Sequence, residues 1–144
     1  MKKITILTSL LILCTLTSCS LHIKDTNGKD DYSLNTISDE EILKPKSAVI
    51  KTMAVQSEVN GNHVYKCKKF SGVEKIDTFT GSFTLYVNSK VSSGNLRICL
   101  VSNNEIVEDF VLNVKDNFMA IGSNTYDLYI AGESANFDIS YFTE

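Results

Sequence analysis

The chain has 144 residues and a formal net charge of −3, from 14 lysines and arginines against 17 acidic residues. That sign argues against a nucleic-acid binder, because such proteins need clustered Lys and Arg to displace counterions along the phosphates. It also argues against electrostatic adhesion to an anionic membrane. The length suits a single domain with its own core.

The first residues have the pattern of a secretory signal. Lys2 and Lys3 precede a mostly apolar run from Ile4 to Leu16, and this run is shorter than the roughly 20 residues of a membrane-spanning helix. We expect residues 1–18 to be removed as a signal peptide. The mature chain would then have 144 − 18 = 126 residues and a charge of −3 − 2 = −5, because the signal carries both lysines and no acids.

The end of this signal, Leu16-Thr17-Ser18-Cys19, resembles the lipobox of bacterial lipoproteins: an aliphatic residue, two small residues and a cysteine. The resemblance implies cleavage after Ser18 and a diacylglyceryl group on the sulfur of Cys19, since the thiolate is the nucleophile that accepts the lipid. Two acyl chains would hold the protein on the extracytoplasmic face of the cell membrane for long periods. The alternative is a plain signal peptide in which Cys19 is incidental.

Residues 19–46 are interpreted as the lipidated N-terminus and a flexible tether. The segment is rich in Asn, Asp, Ser, Lys and Gly, which is too polar to offset its own ordering entropy. Within it, Ser38 and Glu41 fit a capping box and predict a short helix through Leu43, which Pro45 would end.

Residues 47–144 predict an all-β domain, because apolar residues alternate with polar ones and the runs are separated by Gly, Asn and Ser. The predicted strands are Val49 to Val59, Val64 to Phe70, Val73 to Phe79, Phe83 to Asn88, Leu96 to Val101 and Ile106 to Val114, and a final hairpin joins Tyr126 to Ile130 and Ala135 to Tyr141 through Gly132-Glu133-Ser134. Asn103-Asn104 predicts a tight turn. Seven or eight short strands favour an antiparallel β-sandwich with a jelly-roll or Greek-key topology.

Three segments of this domain carry a second resemblance: Gly81-x-Phe83, Gly94-x-Leu96-x-Ile98-x-Leu100, and the run from Tyr126 to Ile139 with Gly132 and Ala135 within it. They are similar to the small β-sandwich of lipoproteins from Gram-positive bacteria. In that family the turn before the tyrosine is usually glycine, whereas this chain has Asn124-Thr125. The resemblance implies a fold and a cell-surface location, and no known reaction.

Two cysteines, Cys67 and Cys99, belong to the folded part. Export would permit a disulfide between them. Two separate thiols are the favoured state, because a domain of this size needs no cross-link and Cys99 lies in an apolar stretch where cysteine acts as a small core residue.

No catalytic, cofactor or metal motif is found in the sequence. His63 and Cys67 would lie roughly 13 Å apart on one strand, too far for a catalytic dyad, and Gly132-Glu133-Ser134 is interpreted as a turn rather than a nucleophile elbow. Carboxylates that an enzyme or enzyme accessory could use are Glu105, Glu108, Asp109 and Asp127. Acids at a sheet edge more often deter other strands.

The best candidates for a functional surface are two tyrosines that alternation places outward, Tyr86 and Tyr129, with Phe142 as a third aromatic residue. Tyrosines on a sheet face can stack on sugars or enter protein interfaces. The leading hypothesis is therefore a non-enzymatic, membrane-anchored lipoprotein that binds an envelope protein or glycan, without a cofactor and without nucleic acid. The alternatives are a carboxylate-based enzyme or accessory and a purely structural envelope protein.

Overall fold

A computed structural model describes residues 37–115 and 117–144. These residues form one helix and six strands: α1 (Asp39–Leu43), β1 (Ile50–Val59), β2 (Asn62–Thr80), β3 (Phe83–Ser102), β4 (Glu105–Asp109), β5 (Asn117–Ile121) and β6 (Thr125–Thr143). The predicted signal peptide, Cys19 and most of the predicted tether lie outside these residues. Within them, the helix is far too short to cross a membrane, and no apolar helix of sufficient length occurs.

The strands form one antiparallel sheet in the order β1-β2-β6-β3-β4, with β5 paired to β3 on a side branch. The C-terminal strand β6 lies at the centre of the sheet, between β2 and β3. The sheet is open, and β1 and β4 end the main order. The prediction of an all-β, antiparallel domain is confirmed.

Three strands are much longer than expected, at 19, 20 and 19 residues. Each of these strands combines two predicted ones. Strand β2 contains the predicted strands Val64–Phe70 and Val73–Phe79, and β3 contains Phe83–Asn88 and Leu96–Val101. Strand β6 contains both arms of the predicted final hairpin. The prediction of a hairpin turn at Gly132-Glu133-Ser134 is therefore wrong, because β6 continues through these residues without reversing direction.

The long strands change phase halfway, and this change imitates a turn in the sequence. The residues that β6 contributes to the larger hydrophobic core are Tyr126, Leu128 and Ile130, then Ala135, Phe137, Ile139 and Tyr141. Those that β3 contributes are Leu85, Val87 and Val91, then Leu96, Ile98 and Leu100. Register shifts lie between these sets, at Val91 to Asn95 of β3. An extra residue in a strand flips every later side chain to the other face, so the bulge keeps both halves turned toward one core.

Close backbone packing at these bulges requires glycine. Gly94 has a φ of +73°, and a Cβ atom there would overlap the carbonyl oxygen of Ser134 on the neighbouring strand. Ser134 itself has a φ of +51°, which is the left-handed region that few side chains adopt. The turns at Asn60-Gly61 and Asn103-Asn104 also have positive φ, and the second confirms the predicted tight turn between β3 and β4.

The main core lies on one face of the sheet and contains buried side chains from β2, β3 and β6, together with Phe110 and Ile121. A smaller cluster lies on the other face, since its members Cys99 and Val101 alternate with the main-core residues Ile98 and Leu100. The members of this helix-side cluster are Ile37, Ile42, Cys99, Val101 and Ala131.

Helix α1 covers the helix-side cluster. The predicted capping box is confirmed: the backbone N–H of Ser38 donates to Glu41 at 2.9 Å, and the backbone N–H of Glu41 donates to the Ser38 hydroxyl at 3.3 Å. Ile42 is only 1% exposed. The folded part therefore includes Ile37 to Leu43, which the sequence analysis had placed in the tether, and it begins before the predicted boundary at residue 47.

Arg97, the only arginine in the sequence, joins the helix and the edge strand β4 to the sheet. Its guanidinium donates two hydrogen bonds to Asp109, at 2.7 and 2.8 Å, and one to the carbonyl oxygen of Ile37 at 3.1 Å. It also lies 2.7 Å from a carboxylate oxygen of Asp39. The carboxylates raise the pKa of Arg97 further, chiefly through the hydrogen bonds to Asp109, so the side chain stays charged although it is buried.

Candidate functional site

Three aromatic side chains form a row across three neighbouring strands, and we call this row the aromatic ladder: Phe118 of β5, Tyr86 of β3 and Phe142 of β6. Tyr86 is paired directly with Phe118 on one side and with Phe142 on the other. The rings of Tyr86 and Phe142 are stacked at 4.7 Å and 7°, and those of Tyr86 and Phe118 are 5.9 Å apart with a 39° tilt. Register therefore builds a continuous aromatic surface from residues distant in sequence.

The ladder faces away from the main core. Its members alternate with Leu85, Val87 and Tyr141, which are buried in that core, and side chains of a strand point to opposite faces in turn. Phe118 is 67% exposed, while Tyr86 and Phe142 are half-buried against each other. A strongly exposed phenylalanine beside two partly exposed rings presents flat apolar area to solvent.

Polar groups flank the ladder. Two residues further along the strands, Asn88 of β3 pairs with Ser140 of β6, which keeps both on the face of the ladder. Two residues further on this face, Asp138 pairs with Lys90 across β6 and β3. A carboxylate oxygen of Asp138 accepts a hydrogen bond from the ammonium of Lys66 at 3.4 Å. The surface thus combines an aromatic platform with a row of hydrogen-bonding and charged groups.

At the other end of the ladder, the hydroxyl of Tyr86 interacts with the C-terminal residue Glu144. Desolvation of the phenol and this negative carboxylate raise the pKa of Tyr86. The hydroxyl therefore stays protonated in ordinary conditions and can donate a hydrogen bond.

Tyr129, the second tyrosine predicted for the binding surface, lies elsewhere. It pairs with Cys99 across β6 and β3 and packs against the helix-side cluster that α1 covers. Alternation placed its side chain correctly on the face away from the main core, but the helix lies on that face. The structure joins Tyr86 to Phe142 and separates both from Tyr129.

Phe118 is the member of the ladder that sequence reasoning missed. It lies in the five-residue strand β5, which the pattern analysis did not predict. The alternation of Phe118 and Ala120 with the inward Met119 and Ile121 was a weak signal for this strand.

The carboxylates of the enzymatic alternative do not converge. Asp109 is engaged with Arg97, and Asp127 accepts a hydrogen bond from Thr78 at 2.6 Å and lies 3.4 Å from the ammonium of Lys75. Glu105 and Glu108 are exposed on β4. Within residues 37–115 and 117–144, no three His, Cys, Asp or Glu side chains are placed to hold a metal ion.

His63 and Cys67 have separate neighbours. The imidazole of His63 stacks on Tyr141 at 4.8 Å, whereas the thiol of Cys67 donates to the carbonyl oxygens of Lys68 and Thr52 at 3.6 and 3.8 Å. Cys67 belongs to the main core and Cys99 to the helix-side cluster, and both are free thiols. Cys67 and Cys99 therefore form no disulfide with each other, because their side chains lie on opposite faces of the sheet.

A cleft of about 780 Å³ lies between α1 and the β1–β2 side of the sheet. Its walls mix apolar residues such as Ile50 with Glu40, Glu41, Lys44 and Lys46. Acids and bases are interspersed there, so the cleft has no single charge preference. The aromatic ladder is the more specific surface.

No protein-family model matches this chain, and no curated protein shows significant sequence similarity to it.

Proposed function

We propose that this protein is a surface lipoprotein, anchored through a diacylglyceryl group on Cys19, whose β domain binds an envelope glycan on the aromatic ladder without transforming it. The lipobox-like Leu16-Thr17-Ser18-Cys19 supports the anchor. The stacked, exposed ladder is the observation that carries the binding role. A protein partner of the envelope is the alternative ligand.

The chemistry of the ladder favours a sugar chain. The C–H faces of pyranose rings are flat and apolar, and they pack on aromatic rings, which bury a large area at small entropic cost. Sugar hydroxyls need donors and acceptors nearby, and Asn88, Ser140 and the Lys66–Asp138 pair supply both along the same face. The ladder spans three strands, or about 10 Å at a strand spacing of roughly 4.8 Å, which suits about two sugar rings.

The proposed architecture is a sandwich made from one sheet. Support comes from the phase switches, because both halves of β3 and β6 contribute buried residues to the same core, and Ile76 and Phe79 of the second half of β2 pack against it. In this arrangement the sheet bends across the bulges and packs against itself. The ladder would then lie on the outer face of one layer, as a binding surface requires.

The anchor is tested by fractionating cells that express the native chain or Cys19→Ala. The native protein is expected in the membrane fraction, and the variant in the medium or the soluble extracytoplasmic fraction, because it cannot accept the lipid. Metabolic labelling with a fatty acid should mark the native chain alone. Labelling of the variant, or its retention in the membrane, contradicts the anchor.

The ligand-binding role is tested with purified cell-wall polysaccharide in a sedimentation assay. Phe118→Ala should weaken binding about fivefold, equivalent to roughly 1 kcal/mol for one lost aromatic contact, and it should leave the fold intact because Phe118 is 67% exposed. Val111→Ala is the matched control, since Val111 is 56% exposed and lies outside the ladder. Equal binding by native protein and Phe118→Ala would exclude the ladder as the site.

A further inference from the structure

Strand β1 is an unprotected edge. Every one of its ten residues is exposed, and four large apolar side chains project from it: Ile50, Met53, Val55 and Val59, at 65%, 68%, 59% and 66% exposure. Among the strands of residues 37–115 and 117–144, β1 pairs with β2 alone, so its other side presents backbone groups that no described strand pairs. An edge of this length and apolarity is a template for another strand.

The opposite edge of the sheet is built differently. It consists of two strands of five residues each, β4 and β5, both paired to β3, and three residues of β4 are the acids Glu105, Glu108 and Asp109. Edge strands this short offer little length for pairing with another chain. Clustered negative charge repels a like edge, so β4 is protected against pairing with other copies. The contrast singles out β1 as the edge that accepts a partner.

We propose that the partner is a second copy of this chain, which pairs antiparallel with β1 around a two-fold axis and joins two sheets into one. The charges of β1 carry this choice. Lys51 and Glu58 are its only charged residues and lie near opposite ends. Antiparallel pairing sets Lys51 against Glu58 twice, and the same register sets Ile50 against Val59, since 51 + 58 and 50 + 59 both equal 109. Parallel pairing in register would oppose like charges, which destabilises a pair.

The geometry of β1 permits this match. Residues seven apart in a regular strand point to opposite faces, but a register shift lies between Thr52 and Val55. As a result Lys51 reaches the hydroxyl of Tyr65, at 3.3 Å, and Glu58 reaches His63, at 4.0 Å. Tyr65 and His63 are alternate residues of β2 and share one face. Residues directly opposite in an antiparallel pair must lie on the same face, and Lys51 and Glu58 do.

Lys51 keeps a donor for the second copy. Its ammonium contacts Glu74 at 2.6 Å and Tyr65 at 3.3 Å, which accounts for two of its three protons. The side chain remains 33% exposed. A two-fold pairing uses the same edge in both copies. The edges left outside consist of the short strands β4 and β5, so assembly stops at a dimer. This inference does not depend on the lipid anchor or on the ligand of the ladder.

The register is tested by disulfide trapping in the whole chain, with Cys14 and Cys19 changed to alanine and the protein held in a mild detergent. The proposed register places Thr52 opposite Ser57 of the second copy, since 52 + 57 also equals 109. Thr52→Cys with Ser57→Cys should give a cross-linked dimer on mild oxidation. Within one chain these positions are about 16 Å apart, too far to bridge.

The single variants Thr52→Cys and Ser57→Cys are the matched controls, because in this register neither meets its own copy. Cys67 and Cys99 remain in every variant and are buried. A double variant that stays monomeric, or single variants that cross-link equally well, would overturn the proposal.

The edge itself is tested by light scattering of the unmodified whole chain across a concentration series, compared with Val55→Lys and Val111→Lys. The native chain is expected to dimerise. Val55→Lys should weaken the association by about tenfold or more, because its two ammonium groups would meet near the two-fold axis, whereas Val111→Lys should match the native chain. Equal dimerisation by all three would place the contact elsewhere. A chain that dimerises only after deletion of residues 20–36 would show that its own N-terminal segment covers the edge, and would overturn the second-copy proposal.

Discussion

Removing the carboxylate of Asp109 tests whether Arg97 stabilises the joint between helix, sheet and edge strand. The Arg97 side chain is 10% exposed, whereas those of Asp109 and Asp39 are 47% and 67% exposed. Asp109→Ala leaves the buried guanidinium without its bidentate carboxylate partner, while Asp39→Ala leaves the Arg97–Asp109 pair intact. The two substitutions should therefore differ sharply.

The magnitude follows from burial. Breaking a buried ion pair by removing one partner costs about 3–5 kcal/mol, and an exposed pair contributes at most about 1 kcal/mol. Because about half of the Asp109 side chain is exposed, Asp109→Ala should lower the free energy of unfolding by about 2–3 kcal/mol, at or just below the lower end of the range for buried pairs. Asp39→Ala should cost less than about 1 kcal/mol. Arg97→Met should fall between them, because it removes the buried charge and leaves two carboxylates that water can solvate.

The measurement is urea unfolding, followed by intrinsic tyrosine fluorescence, of the native protein and these three variants. Glu108→Ala is the control, since Glu108 is an exposed acid next to Asp109 on the same strand. A shift of the midpoint at constant slope reports stability alone. If Asp109→Ala costs no more than Asp39→Ala or Glu108→Ala, the buried guanidinium is not what holds β4 and α1 in place.

Three further outcomes are expected. Gly94→Ala should destabilise the domain by more than about 2 kcal/mol in the same urea assay, because φ is +73° and a Cβ would overlap Ser134. Gly61→Ala, where φ is +75° with open space around it, should cost only about 1 kcal/mol. Equal costs would contradict the close approach of Gly94 to Ser134. Burial raises the pKa of the Cys99 thiol to about 12, so the folded state favours the neutral thiol. The free energy of unfolding that this thiol contributes is complete below its ordinary pKa of 9.0. It is lost as the pH rises from 9.0 to about 12. Cys99→Ala should flatten the decline of unfolding free energy over that window by up to about 1.4 kcal/mol per pH unit, and parallel profiles would count against it. Ser38→Ala should cost about 1 kcal/mol through loss of the helix cap and should raise proteolysis near α1, which limited digestion measures.

Short-range patterns were predicted well. The capping box of Ser38 and Glu41 and the turn at Asn103-Asn104 depend on residues three or fewer positions apart, so the sequence contains the whole signal. Alternation also identified most of the buried residues, since the main core takes every second side chain of each half-strand.

Long-range pairing was predicted poorly, for a physical reason. Small and polar residues such as Gly132 and Ser134 suit a hairpin turn and a bulge equally, because both need unusual φ values. Only the neighbouring strands decide between them, and here β3 pairs with both halves of β6. The same limit applies to the candidate site. Alternation turned Tyr86 and Tyr129 outward, but the packing of Tyr129 near α1 and the contact of Phe118 with Tyr86 depend on chain segments far away in sequence.

The strand at the centre of the sheet, β6, comes after the five strands β1–β5 in chain order. Until β6 exists, β2 and β3 have no neighbour between them, and the buried residues of β6 are missing from the core. Cooperative folding of the sheet therefore cannot be completed during synthesis until Thr125–Thr143 has emerged from the ribosome. Loss of Thr125–Thr143 would remove the middle of the sheet rather than an appendage, so truncation before Thr125 should abolish the native state.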